Sequence, residues 1–157
     1  MSLDREVTTR IGKAAEVMAN LNKRVWDNAH LTTKTKTSVY QACVLSTLLY
    51  GRQRTKQLNS FHMRCLRKIL RIKWQDKITN VEVLNKCQML SMHSILSERR
   101  LRWAGHLRRM GPERIPKALL YGELAEGERK QGRPCLRFKD VCKSDMALAH
   151  INIDTWE

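Results

Sequence analysis

Residues 58–74, with the sequence LNSFHMRCLRKILRIKW, have the clearest separation of hydrophobic and polar positions in the chain. At about 100° per residue, the apolar side chains fall on one side of a helix and the cations gather on the other. The apolar side consists of Leu58, Phe61, His62, Cys65, Leu66, Ile69 and Ile72. The cationic side consists of Arg64, Arg67, Lys68 and Arg71. The pattern therefore predicts an amphipathic helix that packs one face against a core and presents a basic face outward.

The other hydrophobic positions also recur at spacings of three and four, and strand-type alternation is nowhere sustained. They predict further helices over residues 4–28, 32–50, 79–90, 91–110, 116–121 and 136–149. Three of these have a predicted N-terminal cap: Thr32 or Thr33, Thr79 in a Thr-x-x-Glu capping box with Glu82, and Ser91. In the 91–110 helix, which Arg99 interrupts, the apolar stripe consists of Met92, Ile95, Leu96, Trp103, Leu107 and Met110. We expect an all-α protein with about five to seven helices in an irregular bundle.

A change of composition after residue 121 predicts a boundary in the chain. The segment GELAEGERKQGRP contains three glycines, one proline and alternating charges, which is typical of a flexible, exposed loop. We therefore expect a helical region at residues 1–121, a flexible basic loop at 122–135, and a C-terminal helix and tail at 136–157.

The net charge of +15 is concentrated in the middle of the chain. Residues 52–143 contain 23 lysines and arginines and eight acids, whereas residues 144–157 contain three acids and no lysine or arginine. A surplus of this sign favours nucleic-acid phosphates or an anionic membrane surface as a partner.

The sequence predicts a soluble intracellular protein, nuclear or cytoplasmic, that is not secreted and has no membrane partner. No segment approaches the roughly 18 apolar residues of a membrane-spanning helix, and the N-terminus lacks the apolar core of a signal peptide. Five cysteines at irregular spacings do not form a secreted disulfide framework, so we expect reduced, mostly buried thiols.

The common catalytic motifs are missing from the sequence. It has no Asp-Asp or Asp-x-Asp pair for two-metal chemistry, no Gly-rich phosphate loop and no nucleophile elbow. The fifteen acids are scattered among predicted helix starts and loops. We therefore do not expect an enzyme.

Histidines and cysteines offer two loose sets of metal ligands. One set is His62, Cys65, Cys87 and His93, and the other is Cys135, Cys142 and His150. Neither set has the ligand spacing of a zinc finger or knuckle. His62 and Cys65 also fall on the apolar side of their helix, so core packing is favoured over zinc and no cofactor is expected.

Nucleic-acid binding requires cations that reach phosphates and planar groups that stack on bases. Trp103 falls on the predicted core stripe, and Phe138 is open to the same assignment, whereas Trp74 follows Lys73 at a helix end and is the better stacking candidate. The predicted binding residues are Arg64, Arg67, Lys68, Arg71, Lys73, Trp74, Arg99, Arg100, Arg102, Arg108, Arg109, Arg129, Lys130 and Arg133. Because no base-reading motif accompanies them, we expect contacts to the phosphate backbone with little sequence specificity.

Several segments resemble the C-terminal end of the reverse transcriptase polyprotein of LINE-type, non-LTR retrotransposons, specifically the RTE-like endonuclease–reverse transcriptases. They are LSTLLYG at 45–51, LNSFHMRCLRKILRIKWQDKITNVEVL at 58–84, LRWAGHLRRM at 101–110, and LLYGEL with GERKQGRPCLRFKDVCKSDM within 119–146. The chain departs from the family at Leu45-Ser46, where Leu-Pro is common. It also departs after Gly51, where about ten residues of the family pattern are missing.

The resemblance implies a polymerase thumb with a basic C-terminal extension that grips the RNA template and the primed DNA. It also implies that the palm domain of the parent polyprotein, an RNA-directed DNA polymerase, is a partner. The palm carries its catalytic aspartates in a Tyr/Phe-x-Asp-Asp motif that this sequence lacks, so the family's activities do not transfer. The resemblance thus implies a non-catalytic fragment from a truncated or degenerate element copy.

Two other interpretations of the sequence stay open. The chain is alternatively a helical protein-interaction module whose basic face meets an acidic partner, or a relic of a degenerate element without a selected function. For an isolated helix, a basic face is also compatible with simple solvation. The sequence leaves the choice between RNA and DNA open.

Overall fold

The computed structural model describes residues 3–49, 55–121 and 138–152. These residues form helices and turns without any strand, which confirms the predicted all-α fold. Their α-helices are α1 (Leu3–Asn20), α2 (Thr33–Val39), α3 (Ser46–Leu48), α4 (Thr55–Ile69), α5 (Asn80–Cys87), α6 (Met92–Arg109), α7 (Ile115–Tyr121) and α8 (Phe138–Leu148). A short 3-10 turn spans Trp74–Asp76. The predicted loop at 122–135, with Arg129, Lys130, Arg133 and Cys135, lies outside the described residues.

Two π-helical turns interrupt the helices that the sequence predicts as continuous. The turn Asn22–Trp26 follows α1, and the turn Tyr40–Leu45 joins α2 to α3. In the first turn, the amide of Asp27 donates to the carbonyl of Asn22 at 2.9 Å. The extra residue in such a turn changes the direction in which the following side chains point. The predicted helix at 32–50 is therefore α2, a π turn and α3, and the described residues contain eight α-helices where the sequence predicts five to seven.

The helix starts follow the sequence closely. Thr32 accepts from the amide of Thr35 at 3.2 Å before α2, and Ser91 accepts from the amide of Ser94 at 3.1 Å before α6. Before α5, the Thr79 amide donates to a Glu82 carboxylate oxygen at 2.9 Å and the Thr79 hydroxyl accepts from the Glu82 amide at 3.3 Å. This reciprocal pair confirms the capping box predicted from the Thr-x-x-Glu sequence.

Packing divides the chain into two compact units, Met1–Ile95 and Leu96–Glu157. The division falls within α6, and the boundaries at 121 and 135 that the sequence suggests stay predictions. In the part of the chain that the structure describes, no helix combines the length and apolarity needed to cross a membrane.

The core of the first unit is built from α1, the two π turns and α4. Its largest fully buried side chains include Trp26, Tyr40, Leu48, Leu58 and Leu66. Burial of each large apolar side chain of this kind contributes about 1.5–3 kcal/mol relative to exposure. Because α4 packs with α5 and with α2, its apolar face is covered and its other face stays outward.

The indole N–H and the backbone carbonyl of Trp26 both form hydrogen bonds that hold the residue in place. Its indole Nε1 donates to the Met18 carbonyl at 2.7 Å, and its own carbonyl accepts from Lys36 Nζ at 2.9 Å. The Lys36 side chain is buried, so its ammonium group is shielded from water and depends on this hydrogen bond for a polar partner. The π turn that carries Trp26 is therefore held by α1 on one side and by α2 on the other.

The second unit is centred on the packing of α6 with α8. Ala104 is fully buried against Cys142 and Met146 of α8, with Leu101 partly buried beside them. After α6, Lys117 Nζ donates to the carbonyls of Arg108 and Met110 at 3.0 and 2.7 Å. A cation at this position satisfies carbonyls at the C-terminal end of the helix and complements the helix dipole.

Within the described residues, three α-helices end in a left-handed residue that is not glycine. These residues are Arg71 after α4, Gln88 after α5 and His150 after α8, with φ values of 55°, 51° and 55°. After α5, the amide of Met89 donates to the Leu84 carbonyl at 3.0 Å and that of Gln88 to the Asn85 carbonyl at 3.1 Å, which is the Schellman pattern. The sequence offers no glycine at these three ends, so each pays the steric cost of a Cβ in this conformation.

Replacing Gln88 with glycine is expected to stabilise the protein by about 1 kcal/mol, because the left-handed conformation costs glycine little. Urea unfolding measures the gain in the free energy of unfolding. Gln88→Ala is the matched control, because it removes the same exposed side chain but keeps the Cβ. An equal gain in both variants would contradict the conformational explanation.

Candidate nucleic-acid interface

The amphipathic pattern of α4 is confirmed by the burial of its side chains. The apolar side chains from Leu58 to Ile69 are buried, and Ile72 just beyond the helix is half-buried. Arg64 and Lys68 are exposed on the opposite side, and Arg67 is half-buried between the two faces. No acid occurs from residue 52 to residue 75, so no carboxylate on α4 offsets these charges.

Two arginines at the end of α4 are held by neutral acceptors. Arg67 donates from Nη1 to Asn80 Oδ1 at 2.8 Å and from Nη2 to the Ile78 carbonyl at 2.9 Å. Arg71 donates from Nη2 to the Asp27 carbonyl at 2.9 Å. These hydrogen bonds fix the guanidinium groups without cancelling their charge, because amide and carbonyl oxygens carry no net charge.

The turn after α4 adds more cations and an exposed aromatic ring. Trp74 is 85% exposed, the highest value among the exposed large hydrophobic side chains of the described residues. Lys73 precedes it, and Lys77 follows in the left-handed conformation. The one acid of the turn, Asp76, accepts from the Lys73 amide at 2.7 Å. We call the cations and the exposed ring of this region the α4 basic face: Arg64, Arg67, Lys68, Arg71, Lys73, Trp74 and Lys77.

On α6, the predicted binding residues separate into exposed and structural positions. Arg99, Arg102, Arg108 and Arg109 are exposed, and Arg102 pairs with Glu98 at 2.6 Å on the surface. Arg100 is different, because its Nε donates to Asp145 Oδ2 at 2.6 Å and its Nη2 to Oδ1 at 3.1 Å. Asp145 is 4% exposed and also accepts from the Ser97 hydroxyl at 2.7 Å. Arg100 is therefore committed to packing α8 on α6, and we leave it out of the proposed contact set.

The predicted core position of Trp103 is wrong. Its side chain is 47% exposed, and the buried positions in this half of α6 are Ala104 and Leu107. The physical reason is that α8 packs on the side of α6 that carries Leu101 and Ala104. The buried face of this half of α6 therefore does not coincide with the stripe that the apolar pattern predicts. Phe138, at the start of α8, is also exposed, at 37%.

Because Trp103 is exposed, it belongs to a surface group of aromatic and cationic side chains that the predicted core stripe did not reveal. Its ring centroid lies 5.4 Å from that of His106, with the planes inclined at 42°. The two rings and three arginines line an open hollow of about 530 Å³, which we call the α6 stripe: Arg99, Arg102, Trp103, His106 and Arg109. Their spacing of three and four residues was visible in the sequence, and reading it as a polar stripe would have found His106.

The histidines and cysteines do not assemble a metal site in the described part of the chain, where no group of three or more metal-ligating residues is close enough to hold an ion. His93 is exposed, and His62, Cys65 and Cys87 are buried. Burial raises the pKa of Cys65 to about 12 and that of Cys87 to about 11, which keeps both thiols protonated. The three buried residues, His62, Cys65 and Cys87, therefore act as core side chains.

His62 takes part in a buried hydrogen bond. Its Nδ1 lies 2.8 Å from the Tyr40 hydroxyl, whose pKa is raised by burial and by the nearby Cys65 and Cys87. Burial lowers the pKa of His62 to about 4, and an interaction with the Leu90 backbone offsets only part of this effect. Its Nε2 has no well-formed hydrogen bond to another described residue. The neutral imidazole thus shares a hydrogen bond with the Tyr40 hydroxyl at Nδ1 and tolerates protonation poorly.

The fold and these surfaces define a small all-α protein with concentrated, aromatic-containing cationic faces. Comparison of the chain with protein-family models, with curated proteins and with solved structures finds no match. The site is therefore interpreted from its own chemistry.

Proposed function

We propose that this protein binds nucleic acid, RNA or an RNA–DNA hybrid, through the phosphate backbone and with little sequence specificity. The observation that carries the proposal is the α4 basic face, where the segment from Arg64 to Lys77 contains six cations, an exposed tryptophan and a single acid, Asp76. Within the described residues, none of the six forms an ion pair with a carboxylate. Like charges held this close repel one another, and a polyanion removes that repulsion.

The arrangement of the two anchored arginines supports phosphate as the ligand. Arg67 and Arg71 are held by carbonyl and amide oxygens in the free protein. Binding of a ligand therefore orders these two side chains less, and the entropy lost on binding is smaller. Guanidinium groups make charge-assisted, often bidentate hydrogen bonds to phosphate. Trp74, in the turn that follows α4, offers a flat apolar surface on which an unpaired base can stack.

The resemblance to RTE-like reverse transcriptases supports the same proposal from a different direction. In that family, the matching region is a thumb with a basic extension, which holds the template and primer without performing the chemistry. By this proposal the chain is a non-catalytic, intracellular nucleic-acid-binding module. Its protein partner is the palm domain of the parent polyprotein.

The salt dependence of binding tests the proposal. With about six phosphates contacted, the slope of log K against log salt concentration is expected to be about −4 to −5 for single-stranded RNA. Fluorescence anisotropy of a labelled RNA, repeated over a series of salt concentrations, measures the slope. Affinity that does not change with salt would contradict the proposal.

A double variant of the α4 basic face locates the contact. Arg64→Gln with Lys68→Gln is expected to reduce the magnitude of the salt slope by about two, because each lost phosphate contact removes about one. Arg5→Gln with Lys13→Gln is the matched control, because it removes the same charges from exposed positions of α1. Equal loss in both variants would indicate a general effect of net charge and reject this face as the contact.

Competition separates nucleic acid from an acidic protein. Polyglutamate of equal total charge is expected to displace the RNA poorly, because carboxylates on a polypeptide match neither the phosphates nor the bases. Displacement by polyglutamate as effective as that by unlabelled RNA would favour a protein-interaction module.

A further inference from the structure

The α6 stripe combines an exposed aromatic pair with cations on one side of a single helix. At about 100° per residue, Arg99, Arg102, Trp103, His106 and Arg109 occupy about one third of the helix circumference. The buried positions Ala104 and Leu101 lie on a different side, where α8 packs. The stripe is therefore a surface separate from the packing interface of the second unit.

The indole of Trp103 is set for a planar partner. About half of its surface is exposed, and the His106 ring contacts it at 5.4 Å with an inclination of 42°. An inclined neighbour of this kind supports the indole from one direction and leaves ring surface open. A nucleobase stacks on such a surface irrespective of its sequence, because every base has a π face.

The charges around the indole match phosphates on either side of a stacked base. Arg99 and Arg109 lie toward the two ends of the stripe and are exposed. Arg102 pairs with Glu98, but both side chains are exposed, at 77% and 55%, so the pair is weak and a phosphate can replace the carboxylate.

We infer that the α6 stripe binds an unpaired nucleotide of a single-stranded nucleic acid, with its base stacked on Trp103 and its flanking phosphates on Arg99 and Arg109. The inference rests on the proposed function and deepens it, because it specifies single-stranded over duplex ligand. A base inside a duplex already has its faces covered by neighbouring bases and cannot offer one to Trp103.

Oligonucleotides with and without bases test the stacking contact. The probes are a labelled oligoadenylate of about twelve nucleotides, an abasic oligonucleotide of the same length and charge, and the oligoadenylate in a duplex. In the 157-residue chain, Trp103→Ala is expected to weaken binding of oligoadenylate about tenfold and to leave binding of the abasic probe unchanged. Trp103→Phe is expected to retain most of the affinity, because it keeps an aromatic face.

The outcomes separate this inference from the proposed function. If Trp103→Ala binds oligoadenylate as well as the unchanged protein does, the inference fails while the proposed function stands. If the unchanged protein binds none of the three probes, both fail. An equal loss for the abasic probe also overturns the inference, because stacking requires a base. Because Trp103 lies outside the core cluster of its unit, unchanged thermal melting of the variant is expected and serves as the folding control.

Discussion

Replacing Arg100 with alanine is expected to cost about 3–5 kcal/mol of the free energy of unfolding. The substitution removes two charged hydrogen bonds from Asp145 while that carboxylate stays in a site where it is 4% exposed. The Ser97 hydroxyl still donates to Asp145, but a neutral hydroxyl does not replace a guanidinium. Urea denaturation followed by far-UV circular dichroism measures the change.

Arg102→Ala is the matched control on the same helix. Its ion pair with Glu98 has the same N–O distance of 2.6 Å as the Arg100–Asp145 pair, but it lies at the surface. The expected cost is below about 1 kcal/mol, because water and salt screen an exposed pair. Equal costs for the two arginines would contradict the distinction between a structural and a surface cation.

A double-mutant cycle isolates the pair itself. Arg100→Ala with Asp145→Ala is expected to cost less than the sum of the single variants, because the two side chains form one interaction and the double variant no longer buries a carboxylate that has lost the guanidinium. Additive costs would mean that the two residues stabilise the second unit independently.

The second large effect is a loss of stability on mild acidification. The pKa of His62 is lowered to about 4 by burial, from an ordinary value of 6.5. Between these two values the unfolded chain binds a proton that the folded protein does not, so stability falls as the pH falls. The fall begins near pH 6.5, ends below about pH 4, and amounts to about 3 kcal/mol. Urea unfolding at a series of pH values measures it.

Two histidine variants assign the effect. His62→Asn keeps an acceptor for the Tyr40 hydroxyl but cannot titrate, so stability should depend much less on pH in this range. His93→Asn removes an exposed histidine and should leave the pH dependence as it is. If His62→Asn retains the full pH dependence, other groups cause it.

The sequence pattern of α4 correctly separated its buried residues from its exposed ones, because other helices pack against one side of α4. Its apolar residues cover one continuous side of the helix, and α2 and α5 pack against that side. The pattern of one helix was then enough to separate buried from exposed positions. The same holds for the caps at Thr32, Thr79 and Ser91, because each is a local hydrogen bond between residues three positions apart.

The sequence was less informative about α6 because its apolar positions do not form a single narrow stripe. Met92 and Leu96 are buried as predicted, but farther along the buried positions shift to Ala104, and Trp103 is exposed. Ala104 carries a weak hydrophobic signal and Leu101 lies outside the predicted stripe, so nothing local marked them as the contact with α8. Arg100 was likewise indistinguishable from its neighbours until Asp145, 45 residues later, was placed beside it.

The sequence by itself determined the helical class, the helix starts and the basic face of α4, because these depend on the spacing of residues within one turn or one helix. Tertiary structure alone decided which arginines are structural, that Trp103 lies on the surface, and that His62 is buried against Tyr40. Those outcomes depend on which distant side chain occupies the adjoining space. Burial and pairing, which set the pKa of His62 and the role of Arg100, arise only when separate segments pack together.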